Sequence, residues 1–389
     1  MRYDSARLAG SVYTETKPRR RSFDSSFFLL VVLLLAIGVV MVLSASFPRA
    51  YYDPGEVTGG NAAYYFVRQL IYALLGLAVL LLASRVPMDL YRRWAIPFLG
   101  ATLVLLALVP VIGVKANGSR RWLGVGSLTV QPSELAKLAV ILSFSVLICR
   151  FREKMRTVRW GILPFLGILG LIVGLLVLEP HFSASIIIIA VGGVMMFLGG
   201  VGLGWFGAAL GGAGAGIAVL LTFFPYASSR INTWRDPFSS SSDEGYQIVQ
   251  SLYSIGSGGL SGLGLGGSRQ KFLYLPEEHN DFIFSVVCEE LGFIGAALIL
   301  VLFALLILRG FWIALHCRRR FDFLVCAGIT TLLAIQVFLN VAVVTNLVPC
   351  TGISLPFFSY GGTALLIQLG EMGIVLSASR EILEERIEK

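Results

Sequence analysis

Charge is what this chain has least of: 14% of its 389 residues are Asp, Glu, Lys or Arg, against 56% hydrophobic, and the mean hydropathy is +0.80. No soluble core of this length requires so apolar a composition, which excludes an ordinary water-soluble domain. Histidine is also scarce, and His181, His279 and His316 are too scattered for a zinc site. The five cysteines (Cys149, Cys288, Cys317, Cys326 and Cys350) form no CxxC pair and no metal-ligand spacing, so they read as reduced thiols in or beside apolar segments. No Walker, Rossmann or HExxH pattern carries weight.

Long apolar runs fill the chain instead. Stretches able to cross a bilayer as helices fall at roughly 27–46, 66–84, 95–113, 132–150, 160–178, 182–200, 203–224, 282–308, 323–347 and 360–379. The expected fold is all-α: a polytopic integral membrane protein of about ten transmembrane helices with one long extracytoplasmic loop. Its parts are an N-terminal tail over 1–25, a membrane domain over 26–380 that includes the loop 225–281, and a C-terminal tail over 381–389. The seventh span is rich in glycine, from Gly204 to Gly216, which weakens helix propensity but permits close helix approach. The same composition suggests a movable wall. The first apolar run lacks a clear cleavage site and is expected to stay as the first span.

Basic residues orient the bundle. Of 31 Lys and Arg, 21 fall on the side of the two termini, 9 on the opposite side, and Lys137 lies within a span. The positive-inside rule therefore places both termini in the cytoplasm. The net charge of +8 is then mainly a topology signal, and no nucleic-acid partner is expected.

Polar chemistry concentrates on the extracytoplasmic side. The run LPEEHNDFIF, Leu275 to Phe284, pushes acids and His279 into the start of an apolar span, with Asp281 at the junction. Desolvating a carboxylate there is costly, so Asp281 is the leading catalytic candidate. On a helix beginning near Asp281, Ser285, Cys288, Glu289 and Gly292 would form one stripe with Glu289 deeper in the same cavity. Glu290 points elsewhere, toward a packing partner. QPSELAK opens the fourth span with Pro132 suited to the first turn, and places Glu134 and Lys137 three apart on one face. They form an internal ion pair, or they join Arg120, Arg121 and Trp122 of the preceding NGSRRW in an anion site. An ordinary hairpin with solvated arginines remains the alternative for NGSRRW. Near the C-terminus, Gln336 and Asn340 precede PCTGISLPFFSYGG, whose broken backbone is either a packed re-entrant turn or a substrate contact. Gln368 and Glu371 in the last span read as a bundle-facing pair.

Taken together, NGSRRW with QPSELAK, GYQIVQS, GLGGSRQKFLYLPEEHNDFIF, EELGFIG and TGISLPFFSYGG resemble the shape, elongation, division and sporulation (SEDS) family, whose members include RodA, FtsW and SpoVE. The likeness runs in order from about Phe27 to Ser379, and GLGGSRQK followed by YLPEEHNDF is closer to FtsW and SpoVE than to RodA. The resemblance implies ten membrane helices in the bacterial plasma membrane and a peptidoglycan glycosyltransferase that polymerises lipid II, with release of undecaprenyl diphosphate, beside a class B penicillin-binding protein. It places the essential acid on Asp281 and a polar pair on Glu134 and Lys137. LEPHFSAS departs from the commoner EPDLGT-like pattern, with His181 where an Asp is frequent, so no fixed role for an acid carries over there.

The chemistry this implies is inverting sugar transfer in an extracytoplasmic site. A lipid diphosphate is already a good leaving group, so charge neutralisation matters more than a general acid, whereas the acceptor hydroxyl needs a base. Asp281 is assigned that base. Arg120, Arg121, Lys137, Arg235 and Lys271 are candidates for the diphosphates, Trp122 and Tyr274 for sugar stacking, and Glu134 and His279 for substrate contact. A divalent cation, Mg2+ or Mn2+, is the one cofactor left open. The competing functions are a flippase for the same lipid-linked precursor and a non-catalytic division scaffold.

Overall fold

The computed structural model of the chain describes residues 23–52, 58–116, 119–125, 128–208, 211, 232–239 and 243–388. Its helices are α1 (Ser25–Tyr52), α2 (Tyr64–Ala83), α3 (Met88–Ile112), α4 (Pro132–Arg150), α5 (Leu163–Leu178), α6 (Phe182–Gly199), α7 (Asp243–Ser257), α8 (Ile283–His316), α9 (Arg320–Val344) and α10 (Gly362–Glu388). All of these except α7 contribute a helix long and apolar enough to cross a membrane, α5 together with the helical turn Val158–Ile162 before it, giving nine spans among the described residues. The expected seventh span begins as helix over residues 203–208; apart from Gly211, the rest of 203–224 lies outside the described residues, and so does its reading as a movable wall.

Local signals account for the helix ends. Asp24 caps α1 by accepting the Phe27 amide at 2.9 Å, and Pro132 starts α4 where a missing N–H costs nothing. Polar positions are buried as well as apolar ones along α4, α9 and α10, so these helices form the centre of the bundle. α9 packs on α4, α6 and α8, while α10 packs on α2. On the periphery, Leu74, Leu82, Val104, Leu166 and Leu298 are exposed, the expected outer surface of helices solvated by lipid.

Two features were not expected from the sequence. Between α3 and α4 runs a small antiparallel sheet, β1 (Val114–Ala116), β2 (Ser119–Val125) and β3 (Leu128–Val130), in the order β1-β2-β3. The other is α7, inside a loop that shows no obvious helix in sequence. Its apolar residues Ile248, Leu252 and Ile255 do recur at helical spacing, but the run is short and flanked by Gly and Ser, far below bilayer length.

α8 is broken. Gly292 adopts φ 67° and ψ −173°, and the Gly-rich segment after α7 docks against the break like a strand: Phe293 donates to the Gly259 carbonyl at 2.9 Å and Leu263 to the Glu289 carbonyl at 3.0 Å. The approach is so close that a Cβ on Gly292 would lie 2.2 Å from the Gly262 nitrogen. Below it, Glu289 accepts from the hydroxyls of Ser268 at 2.6 Å, Ser254 at 2.9 Å and Ser257 at 3.2 Å, and from the Arg269 amide at 2.9 Å. Glu290 binds Lys271 Nζ at 2.7 Å and the Ser44 hydroxyl at 2.7 Å. Every charge in this fully buried cluster has a partner, so the GSGGLSGLGLGGSRQK and EELGFIG motifs are read as a structural clasp.

Candidate active site

At the end of the bundle that carries the sheet, a cavity of about 680 Å³ opens among α2, α4, α6, α9 and α10. Its wall is built from segment ends: Trp122 and Arg121 from β2, Glu134 and Lys137 from α4, His181 and Ser183 where α6 begins, Asp281 just before α8, and Gly361 to Leu365 where α10 begins. The volume suits a ligand head group.

Asp281 lies in the turn preceding α8, and its setting is rigid. Asn340 Nδ2 donates to the Asp281 carbonyl at 2.8 Å and to the Ile353 carbonyl at 2.6 Å, clamping the pre-α8 turn to the loop before α10. Ser359 Oγ donates to the adjacent Asn280 carbonyl at 2.8 Å, and the Tyr360 amide to the His279 carbonyl at 2.9 Å. Gly352, at φ 61°, passes so near that a Cβ there would sit 3.0 Å from Asp281 Oδ2. The broken TGISLPFFSYGG backbone therefore packs and lines the cavity at once. Asp281 keeps some surface toward the cavity while protein atoms enclose the rest, and this burial, with the charge of Glu277 added, pushes its pKa up to about 6 against the pull of Arg121 and His279. Such a carboxylate is ionised at neutral pH and is a stronger base than a solvated one.

The cations are arranged around it. Arg121 reaches the wall, whereas Arg120 is exposed, lies outside the lining and donates to the Pro110 carbonyl at 3.2 Å. Arg121 donates to the Pro180 carbonyl at 2.6 Å, and its burial lowers its pKa. Lys137 Nζ pairs with Glu134 Oε2 at 2.6 Å, the internal ion pair expected of QPSELAK, and both residues line the cavity. Next to Arg121, burial raises Glu179 to about 7 and lowers His181 to about 3, the latter with help from Arg121 and Lys137, so the imidazole is neutral.

His181, Gln336 and Gln368 line the cavity, and of the catalytic and substrate-contact candidates from sequence, Asp281, Glu134, Lys137, Arg121 and Trp122 share it. The others do not. Arg120 lies outside the lining. Lys271 lies in the clasp with Glu290, which consumes its charge, and Glu289 is held there too instead of lining the cavity below Asp281. His279 packs between Tyr65 and Tyr360 with Nδ1 3.5 Å from Glu278, itself paired with Arg49 at 3.0 Å. Arg235 is exposed on a short helical turn whose Trp234 bonds the Asn346 carbonyl at 3.1 Å, and Tyr274 is exposed outside the cavity. The lining residues missed include Arg68 and Gln247. Arg68 carries a usable signal, a guanidinium inside an otherwise apolar span.

A wet, charged cavity at one end of a multi-span bundle, reached by dispersed motifs, invites comparison with known proteins. The family model of the FtsW, RodA and SpoVE cell cycle proteins matches residues 24–383. The chain belongs to this family. Stage V sporulation protein E of Bacillus subtilis is 38% identical over 365 residues, covering 93% of this chain and 98% of that protein. A probable peptidoglycan glycosyltransferase FtsW of Trichlorobacter lovleyi is 39% identical over 363 residues, covering 93% and 94%. Among solved structures, a chain of a peptidoglycan synthase complex that coordinates polymerization and crosslinking aligns with TM-score 0.75 at 31% identity, over 93% of this chain and 98% of that one. The rod shape determining protein RodA of Thermus thermophilus aligns with TM-score 0.66 at 30% identity, over 94% and 99%. As a member of the FtsW, RodA and SpoVE family, the chain is a polytopic membrane protein, and the cavity around Asp281 lies at the end of its bundle.

Proposed function

We propose that the chain is a peptidoglycan glycosyltransferase of cell division or sporulation that polymerises lipid II and releases undecaprenyl diphosphate. The observation that carries this reading is the carboxylate of Asp281, held rigidly in a polar cavity that Arg121 and Lys137 also line. The names borne by its relatives support the same activity.

The residues divide the work. Asp281 takes the proton of the acceptor sugar 4-OH as that oxygen attacks C1 of the donor; the C1–O bond to the diphosphate breaks, C1 inverts, and the pair of electrons leaves with the diphosphate. Arg121 and Lys137 face the charge that accumulates on the leaving group, and Arg68 adds a third cation to the wall. Trp122 offers a flat apolar surface to a sugar ring. Among the described residues no three His, Cys, Asp or Glu side chains converge as a metal site. Asp281 and Glu277, whose charges oppose each other, are the carboxylates that would hold Mg2+ or Mn2+ together with diphosphate oxygens, and such an ion would add charge neutralisation. The positive-inside count puts the termini in the cytoplasm and this cavity on the outer face, where the prenyl tails stay in the bilayer. The polymerase works beside a class B penicillin-binding protein, a pairing supported by the likeness to a chain of a synthase complex.

The test is glycan-chain formation from supplied lipid II by the purified protein, with and without its synthase partner and a chelator. Asp281→Asn should abolish polymer while the protein stays folded. Retained polymerisation removes Asp281 as the base, and absence of polymer from the unsubstituted protein with partner and divalent cations favours a scaffold.

A further inference from the structure

The link between α5 and α6, where LEPHFSAS departs from the family pattern, projects into the same cavity. α6 is 18 residues long, and its first intrahelical bond runs from the Ser185 amide to the His181 carbonyl at 3.3 Å, so the amides of Phe182, Ser183 and Ala184 precede the intrahelical ladder. Ser183 and Ala184 line the cavity. The link is fixed at both ends: Arg121 donates to the Pro180 carbonyl at 2.6 Å, and Ser183 Oγ donates to the Thr351 carbonyl, next to the Gly352 that covers Asp281.

His181 is the independent pointer to a ligand. It is 8% exposed, lines the cavity, and its Nδ1 is buried without a hydrogen-bond partner. A buried N–H with no acceptor costs more than a buried lone pair, so the ring proton belongs on Nε2, the nitrogen left to face the cavity. Arg121 and Lys137 beside the ring disfavour a second proton.

We propose that the N-terminus of α6 and the Nε2–H of His181 form a binding subsite for a phosphoryl oxygen of a lipid-linked diphosphate. Helix N-termini in membrane proteins present amides and a positive dipole end to anionic groups. A neutral donor there adds a directed hydrogen bond without another like charge beside Arg121 and Lys137. The subsite deepens the polymerase reading and places one diphosphate between the α5–α6 link and Asp281. Asp281, Glu134 and Glu179 are the acids, and Arg121 and Lys137 the cations, acting on this corner.

The experiment measures inorganic pyrophosphate binding by calorimetry, and its inhibition of polymerisation, on the full chain in detergent. Variants are His181→Gln, whose amide nitrogen approximates Nε2, His181→Phe, which keeps a flat ring without a donor, and His181→Asp. Pyrophosphate Kd should rise about tenfold or more for His181→Phe and His181→Asp and stay within about threefold for His181→Gln. Equal binding by His181→Phe, or by His181→Asp, overturns the proposal; if His181→Phe does not fold, the Gln and Asp pair decides. Asp281→Asn serves as the separating control: it loses turnover if the polymerase reading holds, while pyrophosphate binding through His181 persists. Binding that fails in all forms removes the subsite and leaves the assignment of Asp281 to be judged by polymerisation alone.

Discussion

Replacing Asp281 with Asn should cost the protein its activity and raise its stability. The carboxyl rises from 3.8 to about 6 mainly through burial, a shift worth at most about 3 kcal/mol at roughly 1.4 kcal/mol per unit. Water in the cavity screens part of it, leaving about 1–2 kcal/mol. The folded protein holds this proton more tightly than the unfolded chain, so its contribution is most favourable below about pH 4. It is lost as pH rises toward 6, and the full cost applies above that. Asn carries no charge at any of these pH values. At pH 7.5 the variant should therefore melt about 1–3 °C higher in detergent, and the gap should close as the pH approaches 4. Polymerisation by the unsubstituted protein should follow the opposite course, falling as pH drops through about 6 because the base becomes protonated. An Asn variant equal to or less stable than the parent at pH 7.5, or a rate profile whose acid limb sits near 4, would refute the idea of a desolvated base.

Other perturbations probe the surroundings. Arg121→Gln removes a cation that lowers the Asp281 pKa, so the acid limb should move to higher pH and turnover should drop about 10- to 100-fold, read from pH–rate profiles. Lys271→Met strands Glu290 and should destabilise by about 3–5 kcal/mol, whereas adding Glu290→Leu should restore most of the melting temperature and leave polymerase activity in place. A double variant that folds but no longer polymerises would return Lys271 to the reaction. Gly292→Ala forces a Cβ into the Gly262 nitrogen at a left-handed position, and should cut the yield of folded, detergent-stable protein severely, as judged by size-exclusion profile.

The spans were legible because bilayer length leaves a coarse signal, and Asp281 because a carboxylate at the mouth of an apolar run is expensive. Glu134, Lys137, Arg121 and Trp122 follow from segment ends that must meet on one side. Periodicity failed where backbone departed from the assumed helix. Asp281 precedes α8 instead of starting it, so the stripe drawn down to Glu289 had the wrong origin, and the left-handed Gly292 breaks its lower part. Counting basic residues near the site failed for a different reason: a guanidinium or ammonium acts on substrate only if its side chain reaches the cavity. Lys271 is buried against Glu290 in the clasp, and Arg120 is exposed outside the cavity lining. His279 is buried by aromatic neighbours brought from α2 and the loop before α10, a tertiary arrangement with no local trace.

The clasp around Glu289 and Glu290 bears on how a growing polymer can advance. Pulling the Gly-rich segment off the broken eighth helix would strand two carboxylates in a dry interior, so this side of the catalytic turn behaves as an anvil, unyielding through each cycle. The displacement needed to shift a lengthened glycan and admit the next precursor is then left to parts of the cavity wall that the clasp does not hold.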